Sequence, residues 1–140
     1  MKIKFNFGVL KNKNVKFIQT KEKETVSYSG IVQKVKEKNG KYTFSFENGN
    51  KLEISDTVLA KMLIRVENEE IVFTYKEDNK LLSGLVGFAM TDTYGFPIEI
   101  TKEILEEDGY QIDMEGYEIL KDLQKGLSLG TFKTKDGWVN

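Results

Sequence analysis

The sequence predicts an α+β protein, with an N-terminal antiparallel β-sheet or small barrel-like subdomain over residues 1–80 and a small three-helix module with a C-terminal tail over residues 81–140. Two observations predict this. Apolar residues alternate at period two through the first eighty positions, as in Ile3, Phe5, Phe7 and again in Tyr42, Phe44, Phe46. From Leu81 the alternation stops, glycine and carboxylates rise, and the apolar spacing becomes helical.

The opening run MKIKFNFGVL reads as a half-buried strand. In EKNGKY the Asn39-Gly40 pair supplies the positive φ angles of a two-residue hairpin turn, which sets Val35 opposite Phe44. In FENGNKL, pairing Phe46 with Leu52 and Phe44 with Ile54 keeps one apolar face and leaves Asn48, Gly49 and Asn50 as the loop. A three-stranded meander follows. Ser55 is a helix N-cap ahead of Val58, Leu59, Met62 and Leu63, and two further strands flank a Glu-Asn-Glu-Glu turn, giving six or seven strands in all. Tyr42, Phe44 and Phe46 share one strand face. That face fits a stacking platform for single-stranded bases, but core packing is the default in a domain with few other residues large enough to fill its interior. The lysine runs KNKNVK and KEKE read as solvated surface.

In the second half, Ser83 caps a helix near 84–93 that carries Leu85, Phe88 and Ala89 on one face and stops at Gly95 and Pro97. Thr101 caps a second helix near 102–108, with Ile104 and Leu105 inward and Gly109 at its end. Asp113 caps a third near 114–125, placing Leu120, Leu123 and Leu127 on one stripe. Glu103, Glu106, Glu107 and Asp108 read as a solvated helix face. In the tail, Phe132 and Trp138 lie beyond the last helix, where Trp138 reads as closing the core between the halves and is also a candidate for stacking on a ligand base.

Composition narrows the chemistry. The 140 residues hold 21 basic and 22 acidic side chains, no Cys and no His, so thiolate nucleophiles, disulfides, His relays and His-based zinc sites are excluded. Only Arg65 among the basic residues is an arginine, so the bidentate forks that grip phosphates and guanine edges are nearly missing and nucleic-acid contact falls to lysine. No run of the sequence reaches the length of a membrane span, so a cytoplasmic protein is expected, with no membrane partner. No metal and no cofactor are expected.

The segment LLSGLVGFAMTDTYGFPIEITKEILEEDGYQIDMEGYEILKDLQK, residues 81–125, resembles the end of the tRNA-recognition region of alanyl-tRNA synthetases. There the family has an apolar helix, a D-T-Y-G-F-P element, a Leu-Thr pair, an acidic helix, a glycine, a D-x-x-G-[FY]-E element and a Gln-Lys exit. Asp92 to Pro97 match the hexapeptide. Ile100 and Thr101 stand at the Leu-Thr pair, Gly109 at the glycine, and Asp113, Gly116, Tyr117, Glu118 and Gln124 fit the later element. The resemblance implies a helical recognition module in which Asp92 stands where the family places an aspartate implicated in reading the G·U pair of the acceptor stem. A carboxylate can accept from the guanine 2-amino group in the shallow minor groove of A-form RNA. Aminoacylation and editing are not implied, because the arginines that hold ATP and the His and Cys metal ligands have no counterparts here.

Three functions compete: a non-catalytic factor contacting tRNA or structured RNA through Asp92, Thr93, Tyr94 and Phe96; a phage or mobile-element protein that binds and inhibits a host protein; and a protein that sequesters a small nucleotide. The first draws on the intact hexapeptide. Near-neutral charge and scarce arginine favour the second, and the third needs a pocket where Tyr94 or Trp138 stacks on a base. Oligomeric state is open.

Overall fold

The computed structural model describes residues 3, 5–21, 23–75, 77, 80–126, 133–134 and 137–138. It is an α+β fold built on one large sheet. Strands β1 (Asn14–Lys21), β2 (Glu24–Lys38), β3 (Lys41–Phe46), β4 (Lys51–Ser55), β5 (Met62–Glu67) and β6 (Glu70–Tyr75) form a six-stranded sheet in the order β4-β3-β2-β1-β6-β5. Every neighbouring pair is antiparallel except β1 and β6, which run parallel with Phe17 beside Phe73. No ladder joins β4 to β5, so the sheet is open and departs from both the all-antiparallel and the barrel-like expectation. Helix α1 (Asp56–Leu59) makes that connection.

The turns follow local chemistry. Asn39 and Gly40 take φ of 52° and 77°, Asn68 and Glu69 take 51° and 62°, and each pair closes a two-residue hairpin of the kind that matches strand twist. Val35 lies opposite Phe44 as the alternation requires. The β3–β4 register differs by two residues from expectation. Phe44 faces Leu52 and Tyr42 faces Ile54, and the loop is Glu47, Asn48 and Gly49, because Phe46 N–H donates to the Asn50 carbonyl and Gly49 N–H returns to Phe46. A shift of two preserves the inward face, so the alternation alone does not choose between the registers.

Two other elements differ. Among the described residues of the start there is no strand: Phe7–Leu10 forms a 3₁₀ turn, with the Asn6 side chain accepting from Gly8 N–H. α1 ends at Leu59, and Met62 and Leu63 open β5 instead of extending the helix, although Ser55 caps it by accepting from Val58 N–H as expected.

One face of the sheet makes the core. Phe17 stacks on Phe73 and tilts against Phe44, each at 4.8 Å, while Phe7 meets Tyr42 and Phe44 edge-on. Tyr42, Phe44 and Phe46 are all buried, so they are core and not a stacking platform. Over this face lie Phe5, Phe7 and Leu10 from the N-terminal segment, Leu59 from α1, Leu85 from α2 (Gly84–Tyr94), and Ile119, Leu120 and Leu123 from α4 (Met114–Gln124). Helix α3 (Ile98–Glu107) packs through a satellite cluster of Ile98, Ile112 and Tyr117. Between the helices, β7 (Leu81–Leu82) and β8 (Gln111–Ile112) form a short parallel ladder, and β9 (Lys133–Thr134) pairs with β10 (Gly137–Trp138). Phe132, Leu127 and the side chain of Trp138 lie outside the described residues. Among the described residues, no helix is long and apolar enough to cross a membrane.

Candidate nucleic-acid interface

The hexapeptide from Asp92 to Pro97 is the corner between α2 and α3. α2 starts at Ser83, whose hydroxyl accepts from Leu85 N–H, and its first turn is buried from Gly84 through Gly87. It ends on Gly95, at φ 72°, whose N–H donates to the Thr91 carbonyl at 2.8 Å. A Cβ on Gly95 would meet nothing within 4 Å, so conformation and not space calls for glycine there. Pro97, at φ −59°, leads into α3 without a side-chain cap. Thr101, expected as that cap, lies inside α3 and is buried, because the helix begins three residues earlier than its first strong cap signal.

The aromatics of this corner face solvent. Tyr94 is 59% exposed and Phe96 is 46% exposed, and the two rings stack on each other at 6.4 Å with an interplanar angle of 20°. Asp92 and Thr93 are exposed beside them. Ile100 and Ile104 extend an apolar stripe along α3 at 42% and 40% exposure, so Ile104 does not point inward as its spacing suggested. Asp92 sits in the last turn of α2, where the partial negative charge of the helix terminus disfavours a carboxylate by a few tenths of a kcal/mol to about 1.

Behind the corner the helices are held very close. A Cβ on Gly84 would strike the backbone of α4, meeting the Tyr117 nitrogen and, at 2.8 Å, the Gly116 carbonyl carbon. Tyr117 then packs its ring on Phe88 at 4.8 Å. Burial pushes its phenol pKa up, Glu118 and Glu99 add to the shift, and a hydrogen bond with Thr91 opposes it.

α4 is fastened to the sheet through Asp113. Its carboxylate accepts from Gly116 N–H at 3.2 Å, capping the helix, from Ile64 N–H of β5 at 3.1 Å, and from Arg65 Nη1 at 2.7 and 2.9 Å. Arg65 Nε reaches Glu115 at 2.8 Å, and Nη1 also donates to the Ile64 carbonyl. The sole arginine is therefore committed to holding α4 on the β5 edge. The cap at Asp113 was readable from sequence, but this tie to Arg65 was not. The one available signal was a lone arginine in a chain that otherwise uses lysine.

Asp92, Thr93, Tyr94 and Phe96 thus come together on one corner, while Trp138 belongs to β10. Among the described residues, no group of three or more His, Cys, Asp or Glu side chains is placed to hold a metal ion.

Comparison with known proteins begins with a family model, tRNA synthetases class II (A), which matches residues 66–137, just over half of the chain. This chain belongs to that family. Its class II (A) match begins within β5 and runs through all three long helices, well beyond the motif-bearing segment. Alanine–tRNA ligase of Nostoc punctiforme is 39% identical over 69 residues, 49% of this chain and 8% of the ligase. The Prochlorococcus marinus ligase is 52% identical over 46 residues, 33% of this chain and 5% of its own length. The chloroplastic/mitochondrial ligase of Populus trichocarpa is 34% identical over 98 residues, 70% of this chain and 9% of the ligase. An alignment of 98 residues cannot fit within positions 81–140, so similarity reaches into the sheet. The chain spans less than a tenth of the length of these relatives. No solved structure matches it.

Proposed function

We propose that this chain is a non-catalytic binding factor that docks tRNA or a related structured RNA through the α2–α3 corner. The observation that carries the reading is the exposure of the corner's aromatics: Tyr94 and Phe96 stack on each other in solvent, although aromatics are the residues a domain of this size most needs inside. Exposed rings offer flat surfaces for an unpaired base or a sugar edge, and Asp92 beside them presents an acceptor suited to a guanine 2-amino group. Membership in a tRNA synthetase family, and similarity to ligases whose names specify alanine and tRNA, supply the RNA class.

The absence of catalysis is part of the same reading. Arg65, the chain's only guanidinium, is engaged by Asp113 and Glu115 and leaves no arginine for a nucleotide triphosphate. Purified protein with ATP, alanine and tRNA is expected to give neither adenylate exchange nor charged tRNA.

Binding titrations with an acceptor-stem RNA hairpin test the docking mode. Tyr94→Ser and Phe96→Ser should each weaken the complex by about 1 to 3 kcal/mol, as for loss of a stacking surface, while unfolding stays within about 1 kcal/mol of wild type because roughly half of each residue is exposed before the change. Full RNA affinity in the double variant would remove the corner from the interface.

A further inference from the structure

The α2–α3 corner leaves an electrostatic problem that the other end of the molecule answers. α3 presents Glu99, Glu103, Glu106 and Glu107 as exposed acids around a single basic residue, Lys102, so the recognition corner itself repels phosphate. With 21 basic and 22 acidic residues, the chain as a whole offers no compensating field. The basic residues are unevenly placed, however.

On the β2–β3–β4 meander, the register puts Tyr42, Phe44 and Phe46 into the core and their alternates outward. The outward set pairs Lys34 with Ser45, Lys36 with Thr43 and Lys38 with Lys41 on β2 and β3. It continues across β4 with Ser45 beside Lys51, Thr43 beside Glu53 and Lys41 beside Ser55. Five lysines and one glutamate therefore share a single exposed sheet face. Lys41 reaches Glu53 at 3.6 Å, which offsets one of the five charges. A bulge at Gln33, where the register shifts between Val32 and Lys34, brings the Lys34-Lys36-Lys38 row onto this face.

Like charges directly opposite one another in a sheet are destabilising, and Lys38 faces Lys41 across the hairpin end. On the same face a side-chain hydrogen bond with Lys36, then the Lys36 charge, lower the Lys34 pKa, with desolvation and Lys51 adding to it. Such an arrangement is unfavourable for the isolated protein and becomes favourable against a polyanion. Along β2 the lysines recur roughly every 6 to 7 Å, two residues of strand rise, a separation comparable to that of successive phosphates along one strand of nucleic acid. A shallow depression lined by Lys36, Lys38, Asn39, Lys41, Thr43 and Glu53 lies on this face toward the Asn39-Gly40 hairpin end. The face has no arginine and no aromatic side chain, so it is suited to backbone contact without base reading.

The geometry points to the lysine face of the β2–β3–β4 meander as a second RNA contact, a sequence-independent platform for the phosphodiester backbone. It rests on the RNA reading of the α2–α3 corner: the platform supplies affinity and the corner supplies discrimination.

The test uses the full chain and two RNA hairpins, one with a G·U pair and one wholly Watson–Crick paired, titrated over a range of salt. Lys34→Gln/Lys36→Gln/Lys38→Gln should weaken both complexes at least about tenfold at low salt and make the slope of log K against log salt shallower by about 2, since each lost phosphate contact removes roughly 0.7 to 0.9 from it. Lys11→Gln/Lys13→Gln/Lys125→Gln, an equal loss of charge elsewhere, should change the slope far less. The triple variant's Tm should hold or rise, because repulsion is removed. Unchanged affinity and slope in that variant overturn the platform, and if Asp92→Asn still discriminates between the hairpins, the corner reading stands without it. Loss of slope in the triple variant with no effect of Asp92→Asn keeps the platform and removes the corner. Wild-type protein that binds neither hairpin at low salt overturns both, and binding to phosphatidylserine vesicles instead would give the face to a lipid surface.

Discussion

Arg65 Nη1 lies 2.7 Å from Asp113 Oδ1, joining the β5 edge of the sheet to the N-terminus of α4 across 48 residues of sequence. The Asp113 side chain is 2% exposed and that of Arg65 is 33% exposed, so the acid is the buried partner and the arginine screens it from solvent. A buried carboxylate is tolerable only when its acceptor capacity is filled, and here a helix amide, a strand amide and the guanidinium fill it.

Removing one partner should therefore cost far more than removing both. Asp113→Ala leaves the Ile64 and Gly116 amides without their acceptor and Arg65 with Glu115 as its remaining acid, and should destabilise the fold by on the order of 3 kcal/mol. Arg65→Met leaves Asp113 buried with amides alone and should also destabilise. The double variant Arg65→Met/Asp113→Asn, which keeps an N-cap side chain and removes both charges, should recover a large part of the loss. Urea unfolding of wild type, Arg65→Met, Asp113→Asn and their double variant gives the coupling, and strict additivity would show that the pair acts as two independent surface groups.

Gly84 should be intolerant of even one methyl group. Its Cβ would meet α4 backbone, which cannot rotate aside as a side chain can, so Gly84→Ala should cost about 1 to 3 kcal/mol or more through separation of α2 and α4. Gly49 provides the contrast. At φ 88° and with open space around it, Gly49→Ala carries backbone strain alone, of roughly 1 kcal/mol. Equal losses in chemical denaturation would argue against the close helix crossing.

Tyr42 makes stability fall at high pH. Burial, then Asp56 and Glu37, push its phenol up from 10.0 to about 12. The folded protein therefore keeps this proton where the unfolded chain has released it. The contribution is fully present below pH 10 and is lost as pH rises from about 10 to 12, amounting to up to roughly 2 to 3 kcal/mol. Tyr42→Phe removes this segment of the pH profile and also the 3.2 Å hydrogen bond to the Ile3 carbonyl, worth about 1 kcal/mol at neutral pH. The difference in unfolding free energy between wild type and Tyr42→Phe should narrow, then reverse, across that window. A constant difference would contradict the buried phenol.

What could be read from sequence was what local chemistry decides. Ser55, Ser83 and Asp113 each cap a helix because a short polar side chain before an apolar run bonds amides two or three residues on. Asn39-Gly40 closes its hairpin for an equally local reason. The parallel β1–β6 pair was not legible, since it joins Phe17 to Phe73 and nothing at either strand marks its partner. Ile3, Phe5 and Phe7 alternate like a strand, yet Phe7 turns into a 3₁₀ segment that lays the phenylalanines over the sheet core. Thr101 looked like a cap because threonine before an apolar pair usually is one, but Pro97 had already set the helix going.

The candidate site was legible only as a motif. Asp92 to Pro97 marked the place, and helix-stop chemistry explains Gly95 and Pro97. That Tyr94 and Phe96 would stack outside the core follows from the tertiary arrangement, because α3 uses Ile98 and not Phe96 to close the satellite cluster. Arg65 was noticed for its rarity, while its structural employment depends on Asp113, far along the chain.

The most direct test of the RNA reading is the effect of Asp92→Asn on an acceptor-stem hairpin with a G·U pair and on its G·C-paired counterpart, titrated at one fixed low salt. The account predicts that the substitution weakens the G·U complex by about 1 to 3 kcal/mol and leaves the G·C complex nearly unchanged, as for loss of one base-edge contact, with the unfolding midpoint preserved because Asp92 is exposed at a helix end. Wild-type binding that does not distinguish the two hairpins, or an Asp92→Asn variant that binds both as wild type does, would contradict it.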